Sequence, residues 1–251
     1  MDGLTAEEIE RFVEGGFVRL DGAFPREVAE AGRALLWERT GCDPHDRRTW
    51  TRPVVRLGGC HDEPFRAAAT TPRLHAAFDQ LVGSGRWVPL GGLGTWPVRF
   101  PHPDDPGDAG WHVEASIAVD DGTGLNARSD GRALLLLFLF SDVGPDDAPT
   151  RIRVGSHLDV PRLLEPYGDV GAEFLAFAPE AVAATEHRAV AHATGAAGDV
   201  YLCHPFLVHG AQAHHGTEPR FMAQPPLLPV GRLDPTDPRA PVERGMRVGL
   251  P

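Results

Sequence analysis

The sequence predicts a mainly β fold, a sandwich or barrel, with supporting helices gathered toward the N-terminus. Three observations predict it. Residues 86–228 hold short apolar, β-rich runs separated by Gly, Pro and Asp clusters. No long helical pattern comes between those runs, which disfavours a parallel sheet with crossover helices. The helical signals that do occur fall mostly within residues 1–85.

In chain order, Thr5 and Glu8 form a capping box ahead of Ile9, Phe12 and Val13 at helical spacing, and Gly15 and Gly16 stop that helix. "FVRL" at 17–20 reads as a short strand. Pro25 opens a second helix with Val28, Ala31, Leu35 and Leu36 on its apolar stripe and Gly41 beyond its end. A third helix is expected from about Pro72 to Val82. The strand runs are then "RWVPL", "TWPVRF", "WHVEASIAV", "ALLLLFLF", "TRIRV", "HRAVAHA", "DVYLCHPFLV" and "RFMAQPPLL". Residues 158–185 read as a mixed loop with a short helix, and the last twenty, rich in Pro and Arg, as an irregular segment. The expectation is one domain over 1–251: helical support in 1–85, a β core in 86–228 and an irregular end in 229–251.

Composition narrows the function classes. Hydrophobic residues make up 42%, ordinary for a chain that buries a core. "ALLLLFLF" is the longest apolar run, far short of the roughly 18 residues of a membrane helix. "MDGLTAEEIE" lacks the apolar core of a secretory signal. A cytoplasmic location without a membrane partner is therefore expected. Three widely spaced cysteines argue against a disulfide framework or a cysteine zinc site. A net charge of −11 repels phosphate backbones, so nucleic acid is not an expected partner. Oligomeric state has no readable signal.

Chemistry concentrates in two places. In "GWHVEAS", residues 110–116, a strand would point His112 and Glu114 to one face and Trp111, Val113 and Ala115 to the other. Alone, such a pair occurs by chance in many chains and more often means two solvated side chains than a metal site. The second place is "GDVYLCHPFLVHGAQAHHGTEPRFMAQ", 198–224, with His209 in "VHG" and Arg220 eleven residues later, on the strand beside His209 if the chain folds back after "HGAQAHHGTEP". Two imidazoles and one carboxylate on one face of an octahedral ion leave three positions open, the arrangement of non-haem Fe(II) oxygenases. A keto acid can take two of them and dioxygen the third, while a guanidinium offers a fork for the keto acid's far carboxylate. His204 is the rival to His209; odd spacing places it on the opposite face of an unbroken strand, which Pro205 could disturb. His214 and His215 read as solvated turn residues, and His157 as structural. Arg99, on the run leading into the pair, would meet an anion if it points inward; Arg56 and Arg128 are weaker candidates.

With these residues in place, the sequence resembles the Fe(II)/2-oxoglutarate-dependent dioxygenases, and within them the phytanoyl-CoA dioxygenase group. The resemblance rests on His112, Glu114, His209 and Arg220 together with "RFPHPDDPGDAGWHVEAS", "LFSDVGPDDAPTRIRVGSH", "GDVYLCHPFLVHG" and the opening "LTAEEIERFVEGGFVRL", and spans about residues 4–228. It implies a double-stranded β-helix, a cupin-like jelly roll with helices on one side. It implies Fe(II), 2-oxoglutarate and O2 as cofactor and cosubstrates, release of succinate and CO2, and hydroxylation of an unactivated C–H bond of a small or medium organic molecule. His112, Glu114 and His209 would hold the metal; Arg220, with Arg99, would bind the keto acid. Two departures stand out. The carboxylate is Glu114 where aspartate is commoner, so a longer arm must bend back to a bond of about 2.0–2.2 Å; a carboxylate at all argues against a halogenase. Ala211 stands where a hydroxyl often touches 2-oxoglutarate. The alternatives are a non-catalytic metal- or ligand-binding jelly roll and a cupin-like metalloenzyme that does not use 2-oxoglutarate.

Overall fold

The computed structural model describes residues 3–120 and 122–250. Helix α1 (Ala6–Gly15) starts at the expected box: Thr5 Oγ1 accepts the Glu8 N–H and the Glu8 carboxylate accepts the Thr5 N–H. Gly16 ends it in the left-handed region, at φ 85°, where an added Cβ would also strike the His157 ring. Strand β1 (Phe17–Leu20) follows, then α2 (Arg26–Thr40), β2 (Val54–Leu57), α3 (Glu63–Ala69) and α4 (Pro72–Val82). The helices at 26–40 and 72–82 match the sequence reading, whereas β2 and α3 carry no clear signal in it.

The remaining elements are β3 (Trp96–Arg99), β4 (Trp111–His112), β5 (Ile117–Val119), β6 (Gly122–Leu125), β7 (Leu134–Leu139), β8 (Arg151–Arg153), α5 (Val160–Leu164), β9 (Ala172–Glu173), α6 (Phe174–Ala184), β10 (Val190–His192), β11 (Val200–Cys203), β12 (His209–Gly210), β13 (Met222–Ala223), β14 (Pro226–Leu227) and α7 (Pro241–Val248). Two antiparallel sheets organise them. One runs β1-β11-β7-β13, with β14 also on β7; the other runs β10-β8-β12-β4. From β7 to β13 the chain passes between these sheets repeatedly, as a jelly roll does. β7 explains its own sequence. Leu135, Leu137 and Leu139 pack between the sheets with Ile152, Leu207 and Met222, while Leu134, Leu136 and Phe138 pack toward the helices. Both faces are covered, so the strand is apolar throughout rather than alternating. No described helix is long and apolar enough to cross a membrane.

Three sequence expectations are corrected. Residues 86–90 form only an isolated bridge, Trp87 to Pro229, because Pro89 and the glycines at 91, 92 and 94 interrupt pairing. The run 111–119 is two strands with an irregular step at 113–116. The segment after 228 is not wholly irregular, since it contains α7. Its start is held by Glu243, fully buried, whose carboxylate accepts the N–H groups of Asp234, Arg239 and Ala240 and pairs with Arg86. That support comes from 157 residues away and leaves no local mark in the sequence.

α7 and α1 close over two buried histidines. His157 Nε2–H donates to Val13 O at 3.0 Å, His204 Nε2–H donates to Val242 O at 3.0 Å, and the two rings lie 4.6 Å apart. His204 Nδ1 accepts the Phe206 N–H, which fixes its tautomer. Burial holds the His157 imidazole down to about 4 and the His204 imidazole well below its usual range. Both are neutral when folded and take a proton when unfolded, so lowering the pH below 6.5 favours the unfolded chain. Metal-free protein is expected to lose up to about 1.4 kcal/mol per pH unit from His157 between pH 6.5 and about 4, with His204 adding a loss of the same sign, read from urea midpoints across pH. A His157→Gln variant should flatten part of that slope; an unchanged slope would remove His157 as a source of it.

Candidate metal centre

The two histidines of the predicted site meet because β12 pairs with β4 in a register that sets His209 opposite His112. Directly opposed residues of an antiparallel pair bring their side chains together on one face, and the two rings lie 4.4 Å apart. Each ring is oriented from behind. His112 Nδ1–H donates to Gly110 O at 3.2 Å, and His209 Nδ1–H donates to Leu207 O at 3.0 Å. Both therefore present the Nε2 lone pair, the form that ligates metals. On the opposite face, Trp111 makes cation–π contacts with the guanidiniums of Arg151 and Arg153, each 4.6 Å from the ring. Arg151 also donates to the carbonyls of Ala109 and Ala211, tying together the segments that flank both histidines.

Glu114 joins them by a different route from the one its spacing suggested. It lies beyond the end of β4, and fully buried Val113 anchors the step. Glu114 Oε1 sits 3.7 Å from His112 Nε2 and 3.4 Å from His209 Nε2. Among the described residues, His112, Glu114 and His209 are the group whose donor atoms, all within 4.8 Å of one another, could hold a metal ion. Bonds of about 2.1 Å at right angles set donors about 3 Å apart, so small rotations bring this set onto one octahedral face. Burial works to raise the Glu114 carboxyl, but its contacts with the His112 and His209 rings and the field of Arg132 hold it well below the usual carboxylate range. It is thus an anion, as a ligand must be.

Beside the triad lies a cavity of about 180 Å³ lined by His112, His209, Arg99, Arg220, Asp108 and Thr150, among others. Arg220 does not sit on the strand next to His209. It precedes β13, on the facing sheet, and exchanges backbone hydrogen bonds with Arg99. Its fully buried guanidinium bonds only the carbonyls of Ala148 and Pro97, and its Nε has no partner. Burial, with Arg99 adding to it and Asp108 opposing, pushes Arg220 down to about 9, so it remains a cation at neutral pH. Arg99 points inward, donating to Asp108 Oδ2 at 2.8 Å and to Gln212 O, with Nε unpartnered. Arg56 also pairs with Asp108. Three guanidiniums and one carboxylate line this space, a net of two positive charges that suits a small dicarboxylate. Ala211 lines it too; the cavity's hydroxyl residue is Thr150.

Other histidines fall elsewhere. The chain turns at Pro205, and His204 goes to the α7 side rather than to the triad. His215 is exposed, but His214 is buried beside Asp147, not solvated. Arg128 pairs with Asp169 and Asp234 and lines no cavity described here. On the Glu114 side of the triad a second cavity, about 520 Å³, is lined by Arg132, His61, Leu90, Gly92 and Gln224. Sequence reasoning missed Asp108 and Arg132, since one Asp of an acidic loop and a lone Arg carry no periodic signal. A larger cavity of about 590 Å³, bounded by α1 and β1 residues, holds none of the expected site residues.

The sequence matches the family described as phytanoyl-CoA dioxygenase (PhyH) over residues 12–222. No curated protein matches it. Among solved structures, HygX from Streptomyces hygroscopicus with nickel, 2-oxoglutarate and hygromycin B bound is 20% identical, with a TM-score of 0.55 over 88% of this chain and 86% of that one. SnoK, a non-heme alpha-ketoglutarate-dependent carbocyclase of nogalamycin biosynthesis, is 16% identical, with a TM-score of 0.57 over 91% and 85%. The epimerase SnoN in complex with Fe3+, alpha-ketoglutarate and nogalamycin RO is 20% identical, with a TM-score of 0.57 over 92% and 83%. At these identities the likeness is one of fold.

Proposed function

This chain belongs to the phytanoyl-CoA dioxygenase family, and from that membership, which makes it a non-haem iron, 2-oxoglutarate-dependent oxygenase, we propose that it hydroxylates an unactivated C–H bond of a small or medium organic molecule. His112, Glu114 and His209 would hold the iron. Arg220, with Arg99 beside it, would bind the far carboxylate of 2-oxoglutarate. The bound iron and 2-oxoglutarate supply the activation of dioxygen and the oxidising power.

The protein's part is placement. The carbonyls of Gly110 and Leu207 keep both imidazoles turned with Nε2 toward the ion. The Arg220 guanidinium, fully buried and lining the same cavity as His112 and His209, would give the keto acid a charge-assisted anchor. Asp108 balances Arg99 and Arg56, leaving the cavity with the charge a dianion neutralises. The substrate would occupy the 520 Å³ cavity on the Glu114 side, walled by glycines and prolines of 89–94 and 225–226. The single observation that carries the reading is the in-register pairing of His112 with His209, Glu114 between their Nε2 atoms and a buried guanidinium across the cavity.

The experiment is anaerobic addition of Fe(II) and then 2-oxoglutarate to metal-free protein, followed by exposure to oxygen with candidate substrates. A weak visible charge-transfer band is expected on adding 2-oxoglutarate, then succinate in step with a product heavier by one oxygen atom. A band with succinate but no oxygenated product would replace hydroxylation by another outcome, such as ring closure or desaturation. Neither band nor succinate would leave a non-catalytic jelly roll. Turnover independent of 2-oxoglutarate would point to a cupin-like metalloenzyme.

A further inference from the structure

The two oxygens of Glu114 face different partners. Oε1 faces both histidine Nε2 atoms, at 3.7 and 3.4 Å. Oε2 faces Arg132 Nη2 at 3.4 Å, an ion pair rather than a tight hydrogen bond. Arg132 is well placed to hold it. Its N–H donates to Ser129 O at 3.0 Å and its carbonyl accepts Ser129 Oγ at 2.8 Å, a closed turn leading directly into buried β7. Its side chain is 13% exposed, its Nη2 also donates to Ala115 O at 3.2 Å, and its Nε is buried without a partner. Glu114 is the only carboxylate in ion-pair contact with this guanidinium among the described residues. A largely buried guanidinium so poorly supplied with acceptors is costly unless its one carboxylate matters.

Glutamate needs such a partner more than aspartate would. It has one more rotatable bond, and Glu114 sits on an irregular step rather than on a strand. A free carboxylate could swing and bind with both oxygens, taking a coordination position that the keto acid or dioxygen requires. Resting on the reading that Glu114 is a metal ligand, we propose that Arg132 is a positioning residue that holds Oε2 and so makes Glu114 a one-oxygen ligand. It acts through Glu114, from the wall of the 520 Å³ cavity, and keeps the open positions open.

The test compares wild type, Arg132→Met and Arg132→Lys, each alone and in a Glu114→Ala background. Metal-free proteins are titrated with Ni(II) by calorimetry, and then with Fe(II) and 2-oxoglutarate without oxygen to read the charge-transfer band. Arg132→Met should weaken metal binding about 10- to 100-fold, the usual effect of removing a partner behind a ligand. It should also lower the band at saturating iron, because a two-oxygen Glu114 competes with the keto acid. Arg132→Lys should recover part of both. In the Glu114→Ala background Arg132→Met should have no further effect on Ni(II) affinity. Wild-type affinity and band in Arg132→Met, or an equal loss without Glu114, would overturn the proposal while leaving the triad standing. Failure of wild type to bind Ni(II) or Fe(II) would overturn both.

Discussion

His209→Ala is expected to abolish iron binding at working concentrations and reduce 2-oxoglutarate turnover to background. The variant removes a ligand rather than a group behind one, so metal affinity should fall by more than the roughly 100-fold upper figure for such outer partners. His112 and Glu114 alone are a two-donor set that cannot define the face of an octahedron. His209 is 3% exposed and forms a wall of the cavity, so some stability is lost as well. A second variant separates the two effects. His204→Ala removes an equally buried imidazole that bonds Val242 rather than facing Glu114. It should unfold at a lower temperature yet keep wild-type iron affinity. Metal titration of both proteins decides: stoichiometric, tight iron in His209→Ala would take that histidine out of the centre.

Arg220→Met should raise the dissociation constant for 2-oxoglutarate about 30-fold to several-thousand-fold, the equivalent of the ~2–5 kcal/mol that truncating one member of a buried charge pair costs. The effect on stability should be small. In the metal-free protein the guanidinium is a fully buried cation with only carbonyl partners and an unpartnered Nε. Replacing it by an apolar side chain of similar length gives up those hydrogen bonds but also removes a desolvated charge, terms that offset each other to within about 1 kcal/mol. A merely structural arginine would behave the opposite way, with lost stability and unaltered affinity. Arg220→Lys should fall between, because an ammonium keeps the charge but not the planar fork. Equal 2-oxoglutarate affinity in Arg220→Met and wild type would assign the anchor to Arg99 instead.

The legible parts of this protein are those where local chemistry and fold agree. The Thr5–Glu8 box, Gly16, the helix at 72–82 and the run 133–140 each carry their structural reason within a few residues. The candidate triad was legible for a related reason: His112, Glu114, His209 and Arg220 come in an order and spacing that few arrangements explain. Yet the local argument for His112 and Glu114 was wrong in its geometry. Strand alternation should have aligned them, and the strand ends before Glu114; convergence comes from Val113 sinking into the core and from the register of β4 on β12. Likewise Arg220 reaches the cavity from the opposite sheet, not from a neighbouring strand.

By itself, then, the sequence determined most of the element types, the apolar β7 and a candidate donor set, because caps, periodicity and ligand chemistry act over a few residues or depend on residue type alone. Only the tertiary structure decided which atom of each donor faces the centre, that Asp108 tempers three arginines, that Arg132 faces the second oxygen of Glu114, and that α7 folds over His157 and His204. Those features are contacts between residues distant along the chain. Their energies depend on register, burial and the desolvation of charge, which no stretch of residues encodes until the sheets have closed on one another.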